Sequence, residues 1–170
     1  GVGPSAQTLG VMVEESRPQS QLTGVAGVHF VAALLSFSGL HAVPTTRNVR
    51  GPDLLVSTLD GDAALSIQVK STRSAVRKRG RGEMKMPHHY EWDIGWSSAR
   101  LNAPGLFFAL VDLRDFESLP DVFFVPSRVI CEYFSEGDPE RWPRARYHPE
   151  VAVIERYKNN VQLIIEALAG

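Results

Sequence analysis

Asp53, Gln68 and Lys70 are the residues of this chain whose types and spacing best suit catalysis. Pro52-Asp53 opens an apolar, β-rich run to Leu59, Asp60-Gly61 follows, and Ala63 to Lys70 alternates apolar and polar residues. Asp-Gly between two such runs marks a hairpin. Residues two apart on a strand share a face, so Gln68 and Lys70 point one way while Leu65, Ile67 and Val69 point the other. The hairpin is expected to set Asp53 opposite the end of the second strand, where a carboxylate, an amide oxygen and an ammonium then converge. That set of groups fits phosphodiester hydrolysis. A divalent ion neutralises the charge that builds on phosphorus and orients or acidifies a water, and magnesium takes oxygen ligands while keeping several waters. Asp53 would supply a charged oxygen, the Gln68 side chain a neutral one and the Val69 carbonyl a third. Lys70 would hold the attacking water or stabilise the charged transition state.

A dense basic segment follows at once: Arg73, Arg77, Lys78, Arg79, Arg81 and Lys85, opposed locally only by Glu83. With Ser71 it is the expected grip on a phosphate backbone; the alternative is a solvated loop. The net charge of −1 hides this concentration, and a near-neutral protein with one basic patch can still hold a polyanion locally.

The elements that must position these groups are legible in outline. Residues Gly1 to Gln21 are expected to be a poorly ordered lead-in, with Gly1 to Ser5 a candidate expression scar, and 22–170 a single domain. Leu22 to Gly39 has helical periodicity, Thr23 as N-cap and Gly39 as C-cap. His41 to Thr46 reads as a first strand, with Pro44 implying an edge. Ser71 to Lys85 reads as a loop and His88 to Leu101 as partly helical. Leu106 to Leu113 has the continuous apolar character of a buried strand. Asp121 to Val125 is a further strand, Ser127 to Phe134 a helix, Gly137 to Pro149 a loop, and Val151 to Leu168 one closing helix.

Taken together, Pro52-Asp53, the hairpin and Gln68-Val69-Lys70 resemble the signature of the PD-(D/E)XK nuclease superfamily. Gln in place of the acidic residue resembles its Q-x-K subgroup, which includes Mrr-type restriction enzymes. The leading helix with Gly27 and Gly39, then Asn48, Gly51 and Asp53, extend the likeness. Val125-Pro126-Ser127 and Tyr157-Lys158-Asn159-Asn160 are similar to a group of uncharacterised bacterial proteins with this core. The resemblance implies an α/β fold with a restriction-endonuclease-like core: a central mixed β-sheet flanked by helices in the order α-β-β-β-α-β. It also implies dependence on Mg²⁺ or Mn²⁺ and cleavage of nucleic acid, with double-stranded DNA the expected substrate and restriction or defence the expected setting. A homodimer is the simplest way to cut both strands. The second reading is a non-catalytic nucleic-acid-binding or interaction domain that keeps the fold. Many relatives carry a Glu near the start of the first helix; here Val28 stands there, beside His29. Asp53 is then the site's one carboxylate unless Glu83 or Glu91 enters from the next segment.

Other groups admit more than one role. His88-His89 with Glu91 suggests a zinc site, a loop completing the active site, or a structural feature; adjacent histidines diverge on a strand or helix. Trp92 and Trp96 have the spacing to pack one helical face. Arg141, Arg144 and Arg146 with His148 read as a second phosphate-contacting patch or a solvated loop. Cys131 reads as a core residue, and a lone cysteine forms no internal disulfide, zinc cluster or redox pair. No Gly-rich phosphate loop is present, which argues against nucleotide hydrolysis. An apolar fraction of 44% is enough for a core. The absence of an unbroken apolar run of membrane-spanning length, and of a secretory leader pattern, leads to the expectation of a cytoplasmic protein without a membrane partner.

Overall fold

The computed structural model describes residues 17–46 and 51–170. The protein is α/β, with a mixed five-stranded sheet whose strands lie in the spatial order β1 (His41–Pro44), β2 (Leu54–Ser57), β3 (Ala64–Thr72), β7 (Leu106–Asp112) and β8 (Asp121–Pro126). Helix α1 (Arg17–Phe37) leads into β1, β2 and β3, which form an antiparallel meander. β7 lies parallel to β3, with Ser66 opposite Leu106 and Thr72 opposite Asp112. β8 returns antiparallel to β7.

Alternation along the strands builds two cores. Leu54, Val56, Leu65, Ile67, Val69, Phe107, Ala109 and Val111 face Val28, Val31 and Leu35 of α1, with Ile164 and Leu168 of the last helix. Phe108, Leu110, Phe123 and Val125 face the opposite layer, where Tyr90, Trp92, Ile94, Ala99 and Ile130 pack. β7 is apolar on both faces because it is covered on both. Helix α1 is also the one helix among the described residues long and apolar enough to cross a membrane, over Gln19–Phe37 with a mean hydropathy of 1.4. Here its Val28, Val31 and Leu35 are buried against the sheet. Gly27 lets α1 approach β3 closely: a Cβ there would collide with Ser71 Oγ.

Several sequence expectations are corrected. The first helix begins at Arg17, so 17–21 belong to the domain; residues 1–16 of the expected lead-in, and Asn48, lie outside the described residues. Thr23 does not cap this helix; it sits inside it and its Oγ1 donates to Gln19 O at 2.9 Å. Gly39 follows the helix end, where Leu40 N donates to Leu35 O at 3.1 Å. β1 stops at Pro44, on the sheet edge.

The basic segment is not a loop. β4 (Val76–Arg79) pairs with β5 (Met86–Tyr90) in an antiparallel hairpin with an irregularity between Arg77 and Lys78. Gly80 turns the chain at φ +121°, where a Cβ would lie 2.5 Å from Met84 O. The charges concealed a strand because Lys and Arg on its solvated positions look like loop composition, while Val76 and Tyr90 pack inward. The 88–101 stretch is mostly extended: β5, then β6 (Trp92–Asp93), with α2 (Trp96–Ala99) the only helical part. Trp92 and Trp96 therefore share no helix; Trp92 is buried and donates from Nε1 to Val111 O at 3.0 Å.

α3 (Ser127–Tyr133) carries Cys131 at a partly exposed position, not in the core. The 137–149 segment contains β9 (Arg146–Tyr147), which pairs with β6. The expected closing helix is two: α4 (Val151–Ile154) and α5 (Gln162–Ala169). Asn159, at φ +50°, breaks them apart. Its N–H donates to Val122 O at 2.6 Å and its Oδ1 accepts from Val122 N at 2.8 Å, so it completes the edge of β8.

Candidate active site

β2 and β3 place the three residues singled out by the sequence on one patch. Leu54 pairs with Ile67, and Asp53 N donates to Ile67 O at 2.9 Å, which carries the pairing one residue beyond β2. Asp53 thus comes beside Gln68. Its Oδ2 accepts from Gln68 Nε2 and from Val69 N, each at 2.7 Å. The connection between the strands spans 58–63 and is closed by Thr58 N to Ala63 O at 3.1 Å. Within it, Asp60 Oδ1 accepts from Thr58 Oγ1 at 2.6 Å and from Asp62 N at 3.2 Å, which holds its carboxyl below the ordinary range.

Gln68 and Lys70 lie on the sheet face opposite α1, both partly buried. Burial lowers the Lys70 ammonium pKa from its ordinary value, against the opposing pull of the Asp53 and Asp93 carboxylates. Asp93, on β6, is the acidic residue that the sequence did not point to; Glu83 and Glu91, expected as alternatives, are elsewhere. Glu83 lies exposed at the tip of the β4–β5 hairpin, and Glu91 joins a histidine cluster. A signal for Asp93 existed: in an extended chain it alternates with buried Trp92 and Ile94 and so faces outward. Val28 is buried in the α1 core, away from the Gln68 face, and His29 is exposed, so neither belongs to the patch.

Along β3 the surroundings change character. Beside Ser66 and Gln68 lies an open groove of about 1030 Å³, bounded by Pro52, Leu55, Ser98 and Leu101. Past Lys70 the chain enters the basic hairpin. Lys78, Arg79, Arg81 and Lys85 are exposed there. Arg73 instead pairs with Asp115 at 2.9 Å, and Arg77 donates to Ser74 O at 2.9 Å and approaches Glu91 at 3.5 Å. Ser71 is withdrawn altogether: its Oγ is buried under Gly27 on the α1 face, with no hydrogen-bond partner. Of the seven expected backbone-gripping residues, Ser71 is thus on the wrong face, and Arg73 and Arg77 are engaged with carboxylates.

Asp112 is a buried carboxyl at the end of β7, raised in pKa chiefly by desolvation. It accepts from Ala75 N at 3.0 Å and Arg114 N at 3.1 Å, which gives it a role in fixing two turns. Of the second arginine group, Arg146 reaches Glu91 at 3.7 Å, and His148 Nε2 lies 3.4 Å from Glu91 Oε2. Arg141 stacks on Trp142. His89, with its pKa lowered by desolvation and then by His148 and His88, completes that cluster.

Gln68 and Val69 are held to the Asp53 carboxylate through nitrogen, and the groups that could serve a cation are oxygens: the Asp53 carboxylate, the Gln68 side-chain oxygen and the Val69 carbonyl. Such a set fits a hard cation such as Mg²⁺ or Mn²⁺ and not a soft one. With its amide nitrogen bound to Asp53, Gln68 has Oε1 left as the atom for a cation.

No protein-family model, curated protein or solved structure matches this chain.

Proposed function

We propose that the protein is a metal-dependent nuclease with a restriction-endonuclease-like core, hydrolysing phosphodiester bonds of DNA. The observation that carries this reading is the Asp53–Gln68 contact at 2.7 Å with Lys70 on the same face. A helix, an antiparallel three-stranded meander and a fourth strand parallel to the third support the reading. The crossover helix of the expected α-β-β-β-α-β order is replaced here by the β4–β5 hairpin, β6 and the four-residue α2.

Asp53, Gln68 and the Val69 carbonyl would hold Mg²⁺ or Mn²⁺, which when bound supplies charge neutralisation and a more acidic water. Lys70 would donate its ammonium hydrogens to a non-bridging phosphate oxygen and offset the charge that develops there. Partial burial strengthens that interaction by excluding competing water. Asp53 also orients Gln68 by accepting its amide hydrogen. Lys78, Arg79, Arg81 and Lys85 would neutralise backbone phosphates on one side of the site. The groove by Ser66 and Gln68, with Pro52, Leu55 and Leu101 along it, would take the other side of the strand. Two copies about a twofold axis would serve a duplex, and a cytoplasmic setting in restriction or defence suits such an activity.

The alternative is a nucleic-acid-binding domain that does not cut. It draws support from Asp53 Oδ2, which already takes two protein donors and so also serves the fold. Supercoiled plasmid incubated with Mg²⁺ or Mn²⁺ separates the two. Nicking by the wild type and none by Lys70→Ala supports the nuclease, whereas salt-dependent binding without nicking by either protein supports the alternative.

A further inference from the structure

We propose that His89, Glu91 and His148 form a binding site for a single Zn²⁺ or similar borderline divalent ion, apart from the Asp53 patch. One ligand atom from each residue lies within 4.8 Å of the others. The backbone makes this arrangement. His89 and Glu91 are two apart on extended chain and face the same way. Tyr90 N donates to Pro149 O at 3.0 Å and His89 bridges to Glu150, which brings His148 alongside from a segment some sixty residues later in the chain. The adjacent His88 and His89 do not diverge as expected: their rings meet edge to face with centroids 5.3 Å apart. The second imidazole of the site nevertheless comes from His148.

Two imidazoles and one carboxylate, with a fourth position open to water, are a known zinc ligand set. Hard ions such as Mg²⁺ prefer all-oxygen sites, so the chemistry differs from that around Asp53. Zn–N and Zn–O bonds of roughly 2.0–2.1 Å in a tetrahedron set neighbouring donors about 3.4 Å apart. His148 Nε2 and Glu91 Oε2 already stand at 3.4 Å, and the largest separation must close by little more than an ångström, within reach of a small rotation of exposed rings. The carboxylate is oriented for the task. Arg77 and Arg146 approach Oε1 at 3.5 and 3.7 Å, while Oε2 turns to His148. His88 Nδ1 lies 3.0 Å from His89 Nδ1; with His89 as the donor, this hydrogen bond fixes the ring and leaves its Nε2 lone pair for the ion. The two guanidiniums also repel a cation, so the affinity is below that of a buried structural zinc. The bound ion would clamp β5 to the 146–150 segment, beside the basic hairpin.

The test uses metal-stripped full chain with Co²⁺ as a spectroscopic probe, in excess Mg²⁺ to occupy oxygen sites. One equivalent of Co²⁺ should give the intense visible absorption of a four-coordinate ion, and Zn²⁺ should displace it. His89→Ala and His148→Ala should each weaken binding at least a hundredfold, while Asp53→Asn should leave the spectrum unchanged. Both histidines are at least partly exposed, and His148→Asn serves as a second, milder variant with thermal melts in chelator checking its fold. An aqua-ion spectrum with wild type, or a four-coordinate spectrum that survives His148→Ala, would overturn the proposal. Loss of the spectrum in Asp53→Asn would overturn it too, by moving the ion to the other site.

Discussion

Gln68→Glu replaces the amide that donates to Asp53 with a carboxylate. Two carboxylate oxygens would then stand where a 2.7 Å hydrogen bond was. Relaxed to about 4 Å, two negative charges near a protein surface repel by about 4 kcal/mol. Both residues are partly exposed, and solvent screening reduces this to about 2–3 kcal/mol, including the broken hydrogen bond. For a domain of this size that is a fall in Tm of roughly 4–12 °C in chelator at pH 8. The sign with pH follows from the proton the pair would share. The introduced carboxyl has a folded-state pKa above its unfolded value of about 4.3. The penalty is therefore absent below the unfolded value and is incurred as pH rises through the folded one. A divalent ion reverses it: at a hundred times its Kd, binding to the folded state returns about 2.7 kcal/mol. Thermal melts of both proteins from pH 4 to 9, in chelator and in Mn²⁺, provide the measurement. A variant as stable as wild type at pH 8 in chelator would refute the contact. A loss in chelator that Mn²⁺ does not recover would refute the site as a metal site.

Three further outcomes are expected. Gly27→Ala forces a methyl onto Ser71 Oγ and should cost about 1–3 kcal/mol; Ser71→Gly in the same chain should restore most of it, and additive losses in denaturant melts would show that α1 and β3 do not meet there. Neutralising Lys78, Arg79, Arg81 and Lys85 together should weaken DNA binding on all sequences and reduce the slope of log K against log salt by about 0.9 for each phosphate left without its cation; an unchanged slope in gel-shift titrations would leave the hairpin without a role in binding. Lys70→Met should remove a pH-dependent contribution. Because burial lowers the pKa of Lys70 below 10.5, the unfolded chain binds more protons between the folded value and 10.5, so wild-type stability gains with pH across that window. The difference in stability between wild type and variant, followed by melts through the alkaline range, should show this rise. A flat difference would mean that folding does not lower the Lys70 pKa.

What the sequence determined was local. The β2–β3 hairpin and the shared face of Gln68 and Lys70 follow from a period of two and an Asp-Gly turn, and both are set by a few consecutive bonds. The first helix and the apolar runs of β7 and β8 were legible for the same reason: periodicity and burial leave their mark in composition. Only the tertiary structure decided the rest. The parallel pairing of β3 with β7 depends on a crossover of more than thirty residues, whose path no local signal records. His148 reaches Glu91 because β6 pairs with β9, and Asp93 acts on Lys70 because β6 lies against β3. The expected last helix breaks because Asn159 gains more by completing the open edge of β8 than by continuing a helical turn. The Lys70 side chain could be named from sequence, but its lowered pKa could not. Desolvation depends on what the folded chain stacks around a group, and that is set by residues far apart in the chain.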